Sequence, residues 1–183
     1  MILENVSQHK DYLPSVFDAL GFSGSFEVVG NAIHLNIIPN EKKETPTKEQ
    51  ILEKLNEITL KTKKQELEKQ INEICKKKIV EGFRSSALGD LHAYDLALED
   101  QANLQALIIA NIDSVFRCAE VNNGVIGNKT YKKHTKAQIL QLAKESLKFK
   151  TDLIVFYGRE KERLNAISSL EALEKFELKE YLT

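Results

Sequence analysis

His92, Cys118 and His134 are the side chains of this sequence best suited to hold a soft metal ion, because zinc prefers imidazole nitrogen and thiolate sulfur. Long spans separate them. None of the paired C-x-x-C or H-x-x-x-H spacings that put two ligands on one turn or helix face occurs. The expectation is no metal site and no cofactor, with His134 hydrogen-bonding locally just ahead of a helix start. Asp95, Glu99 and Asp100 form a second set, and paired carboxylates can exchange protons or bind a cation. Acidic residues are also drawn to helix N-termini by the macrodipole, and that structural account is preferred. Ser85-Ser86 with His92 lacks the nucleophile-elbow pattern of hydrolases, and neither glycine-rich phosphate loop is present. No catalytic residue is expected, and the chain reads as non-enzymatic.

The elements that must position these residues centre on GFRSSALGDLHAYDLALEDQANL, residues 82–104. FRSSAL and LHAY flank Gly89-Asp90 as a short hairpin, and Gly82 ends the helix before it. Asp95 is the expected N-cap of a helix over LALEDQANLQALIIANIDSVFRCA. Leu96, Leu104, Leu107, Ile108, Ile112, Val115, Phe116 and Ala119 give that helix its apolar stripe, which makes it the candidate core. Tyr94, Asp95, Gln101 and Asn103 are expected to stabilise the hairpin–helix junction through side-chain to backbone bonds. VNNGVIGNKTYKKH then carries turn signals around short β-like pieces. His134-Thr135-Lys136-Ala137-Gln138 supplies a capping box. The helix it opens bears Ile139, Leu140, Leu142, Leu147, Leu153, Ile154, Phe156, Tyr157, Leu164 and Ile167. Ser168-Ser169-Leu170-Glu171 caps a short last helix.

Upstream, Tyr12–Leu20 places Leu13, Val16, Phe17 and Leu20 on one helical face, with Gly21 ending it. SFEVV and AIHLNII alternate around Gly30-Asn31, a hairpin signature. PNEKKETP, residues 39–46, reads as a polar linker and domain boundary. Thr47-Lys48-Glu49-Gln50 is another capping box, opening a helix to about Val80. Along it Leu60, Leu67, Ile71 and Ile74 keep heptad spacing for about two repeats. Two readings stay open: a self-association seam, or a stalk that packs one face against its own chain. Its lysine runs do not signal phosphate binding, because residues 41–82 hold 11 lysines against 9 glutamates, a solvated balance.

At 183 residues, with 42% hydrophobic and 29% charged side chains, the chain suits one ordinary domain with appendages. Its 26 basic and 27 acidic residues leave a net charge of −1, which argues against a nucleic-acid or anionic-membrane surface. No stretch approaches the length of apolar sequence needed to span a bilayer, and the N-terminus does not read as a signal peptide. Cys75 and Cys118 read as two buried free thiols in a reducing compartment.

INEICKKKIVEGF, the hairpin ending in Tyr94-Asp95, EDQANL opening a helix, His134-Thr135 and the closing ISSLEAL follow one another in a familiar order. This order resembles a domain of unknown function found towards the C-terminus of tail-fibre-like and other tail-associated proteins of tailed phages and prophages. PTKEQILEKLNEI is similar to the linker helix that commonly precedes it. The resemblance covers about 110 residues, judged by motif order, and carries no catalytic or ligand residue. It implies a virion structural component or an assembly helper, with other tail or fibre proteins as partners. Synthesis would be in the bacterial cytoplasm, followed by a place in the virion.

The expected architecture is mainly α with short β-hairpins: a small α+β module over 1–45, a long connecting helix over 46–81, and a helical domain over 82–183. The expected function is structural, through protein–protein contacts and as a homo-oligomer. A tail-fibre assembly chaperone or adaptor is the alternative. No nucleic acid or membrane partner is expected.

Overall fold

A computed structural model describes residues 1–38 and 44–181. Most of the expected linker at 39–46 lies outside the described residues. The chain forms two compact units, Met1–Glu68 with Leu164–Glu177, and Lys69–Arg163 with Leu178–Thr183. These differ from the three segments 1–45, 46–81 and 82–183, because two of the three changes of unit, at 68/69 and 163/164, fall inside helices.

The first unit opens with β1 (Ile2–Leu3), a 3-10 turn (Ser7–Tyr12) and α1 (Leu13–Leu20). Pro14 sits in the first turn of α1, where its missing N–H costs nothing, and Gly21 ends the helix in the left-handed conformation. β2 (Ser23–Val29) and β3 (Ala32–Ile38) form the hairpin expected around Gly30-Asn31, with Val29 opposite Ala32. β1 adds to β3, which the sequence did not signal, giving the order β1-β3-β2. α2 (Lys48–Val80) starts at the expected capping box: the Thr47 N–H donates to Gln50 Oε1 at 2.9 Å, and the Gln50 N–H to Thr47 Oγ1 at 3.3 Å. Leu3, Leu13, Val16, Ile33, Ile51 and Leu55 close this unit's core. α5 (Leu170–Glu174), capped by Ser169 as expected, belongs to the same unit.

The second unit overturns the mainly α expectation. Its strands are β4 (Phe83–Leu88), β5 (Asp90–Tyr94), β6 (Ser114–Asn122), β7 (Val125–Ile126) and β8 (Thr130–His134). They build one five-stranded antiparallel sheet, so the fold is α+β with two sheets. The main correction falls on 111–119, read as the continuation of a helix. α3 (Leu98–Ala110) stops at Asn111, which turns into the left-handed region at φ 51°. From Ser114 the chain is the strand between β5 and β8, with Phe116 and Cys118 inward and Arg117 outward. A run apolar on both faces hides the period of two that marks a strand, so it mimics a buried helix.

α3 is not the centre of the core either. It buries Leu104 alone, while Leu98, Ile108, Ile109 and Ile112 beside it are exposed. The core forms where Phe83, Tyr94, Phe116 and Cys118 of the sheet meet Leu96, Leu104, Ile139 and Leu142. Burying each Leu or Ile there contributes about 1.5–3 kcal/mol. Ile139 and Leu142 come from α4 (Lys136–Asn165), which runs unbroken through Gly158.

Along α2 the four residues of the possible seam differ in exposure. Ile71 is 1% exposed within the single chain, and Leu60, Leu67 and Ile74 are half-buried. Of the two readings left open, packing on its own chain prevails at Ile71. No helix among the described residues is long and apolar enough to cross a membrane.

Candidate functional site

Cross-strand partners share a face of a sheet. Pairing of Phe83 with Tyr94, Ser85 with His92, His92 with Glu120, Phe116 with Lys132 and Ser114 with His134 therefore gathers the chemically able side chains on one surface. His92, Cys118 and His134, far apart in sequence, all meet around Tyr94. The Tyr94 ring lies 5.8 Å from that of His134 and 6.4 Å from that of His92, and Cys118 belongs to the same buried cluster.

The donors and acceptors fix the tautomers. His134 Nδ1 stands 2.8 Å from the Lys132 carbonyl oxygen, which can only accept, so Nδ1 carries the proton. Its Nε2 then accepts from the Tyr94 hydroxyl at 3.0 Å. His92 repeats the arrangement: Nδ1–H donates to the Asp90 carbonyl at 2.8 Å, and Nε2 accepts from the Lys132 ammonium at 3.1 Å. Lys132 also pairs with Glu120. Both imidazole lone pairs that a metal would need are thus engaged.

Burial keeps the inner part of this cluster neutral. It pushes the Tyr94 phenol and the Cys118 thiol up, and it pulls the His134 imidazolium down. A thiol held protonated is a poor nucleophile. Tyr94, His92, Cys118 and His134 are all buried, and none of them lines the cleft of about 470 Å³ walled by Phe83, Phe149 and Ile126. The arrangement suits holding strands in register.

The remaining residues singled out in the sequence do not converge. Asp95 is not the N-cap of α3 but an ion-pair partner of Lys129. The cap position is Ala97, whose N–H donates to Asp100 Oδ2 at 3.1 Å. Gln101 does tie the junction, donating to the Leu96 carbonyl at 2.9 Å and accepting from Lys150 Nζ at 2.9 Å. Asn103 and Glu99 are exposed on α3. Ser85 Oγ accepts from the Ala87 N–H at 3.1 Å, and Ser86 is exposed. Thr135 caps α4 as expected, accepting from the Gln138 N–H at 3.3 Å. Cys118 is buried, and Cys75 is half-buried where full burial was expected.

What sequence reading missed is a surface. Leu140, Leu147 and Ile154, noted in the sequence among the apolar residues of α4, are 46%, 65% and 50% exposed. Their spacing of seven was visible in the sequence and marks a single line along a helix. At one end of it Leu140 and Ile108 share a groove of about 270 Å³ between α3 and α4.

Comparison with known proteins finds no matching family model, no curated relative and no similar solved structure.

Proposed function

We propose that this protein is a non-enzymatic, tail-associated component of a phage or prophage that works through protein–protein contacts. One observation carries the contact part: the Tyr94, His92 and His134 side chains of unit two are buried and hydrogen-bonded, whereas an apolar line on α4 faces solvent. Large apolar side chains aligned on a surface mark a place that another molecule covers. The tail setting is supported by the order of motifs from Ile71 onward, and a place in the virion belongs to the same proposal.

The test is the composition of purified particles from the host that encodes the protein. Recovery at a fixed ratio to known tail proteins supports a structural component. Recovery only in the particle-free lysate overturns it in favour of the assembly chaperone.

A further inference from the structure

Resting on that reading, we infer that the α3–α4 face of the second unit receives an amphipathic helix of a different protein, flanked by acidic residues. The apolar line Leu140–Leu147–Ile154 repeats every seven residues, the period of a seam between two helices. It is narrow, unlike the broad apolar arc with which a helix lies on a bilayer.

Lysines predominate around it, and the acidic group beside Lys136, Asp113, accepts from the Lys136 N–H at 2.8 Å. At 3.6 residues per turn, Lys136, Lys144 and Lys150 fall within about 60° of the line. Beside the line itself, Glu145 and Asp152 point roughly 140–160° away, and Glu162, about two turns beyond Ile154, points about 80° away. Asp152 is already paired with Lys148, and the contact of Lys150 is with the uncharged Gln101 amide. In the groove, Leu107, Ile108, Ala137 and Leu140 are joined by Asn111 and by a single charged residue, Lys136.

A second copy of this chain seated on the same face would set lysine against lysine, which is repulsive. A helix with glutamate or aspartate beside its apolar residues would satisfy both the line and its rim.

The test uses the full chain and two labelled synthetic peptides of about four heptads with identical apolar positions, one carrying Glu and the other Lys at the flanks. Fluorescence anisotropy should show the Glu peptide binding at least about tenfold more tightly, with affinity falling as salt rises. Leu147→Glu should abolish that binding. The double variant Lys136→Glu/Lys144→Glu should reverse the preference. All three substitutions are at exposed positions, and melting curves confirm that each variant is folded.

Equal affinity for both peptides, or binding untouched by Leu147→Glu, overturns the inference. So does self-association, or binding to phosphatidylserine vesicles, that Leu147→Glu removes. The two proposals fail separately. Loss of peptide preference in a protein still found in particles removes the acidic helix alone, and a peptide-binding protein absent from particles removes the tail component alone.

Discussion

The Tyr94 hydroxyl and His134 Nε2 lie 3.0 Å apart, 40 residues apart in sequence, and each residue is 1% exposed. Tyr94 ends β5 and His134 ends β8, so this one bond spans β6 and couples the two flanking strands. Tyr94→Phe leaves His134 Nε2 buried without a donor. The expected cost is about 1–3 kcal/mol, read as a fall of several degrees in melting temperature. An unchanged melting curve would show that the bond does not hold the sheet.

Acid should destabilise the protein in two steps. His134 has its folded pKa pulled below the ordinary 6.5 by burial, against the pull of the Lys132 carbonyl. The unfolded chain then binds the proton more readily, so this stability is complete above about pH 6.5 and is lost as pH falls. Burial would raise Glu160, but its bonds to Arg163 and to the Lys179 N–H outweigh that and hold it below the ordinary 4.5. Its stability is present above 4.5 and is lost below it. Denaturant unfolding across pH should show both, and His134→Gln should shrink the first step alone, leaving the part due to His9, which burial also pulls down.

Gly82 and Gly89 separate backbone strain from collision. Both have positive φ, +93° and +99°. A Cβ on Gly82 would stand 2.1 Å from the Tyr94 carbonyl oxygen, whereas one on Gly89 meets nothing within 4 Å. Gly89→Ala should cost about 1 kcal/mol. Gly82→Ala should cost well above that, about 3 kcal/mol, since backbone must move. Equal losses in urea melts would refute the collision.

At the start of α3 the capping contact expected of Asp95 is made by Asp100. Asp95→Ala removes a partly exposed pair with Lys129, worth under about 1 kcal/mol. Asp100→Ala releases the Ala97 N–H and should cost about 1 kcal/mol. Thermal melts of the two variants rank them, and a larger loss at Asp95 would restore it as the cap.

What the sequence determined by itself was local. Capping boxes at Thr47 and Thr135, the hairpins at Gly30-Asn31 and Gly89-Asp90 and the span of α2 depend on residues within a few positions of each other. Their chemistry is complete in any short window. Tertiary structure decided the rest. Ser114–Asn122 has the apolar content of a buried helix and becomes a strand because β5 and β8 offer it hydrogen bonds on both edges. Ile71 and Leu147 look alike in sequence, yet one is buried and the other open. Heptad spacing says that side chains line up along a helix, and only packing says whether the chain itself covers them. The same holds for His92, Cys118 and His134, which strand register alone draws around Tyr94. Contacts across 40 residues depend on how the chain folds back, and no local pattern encodes that.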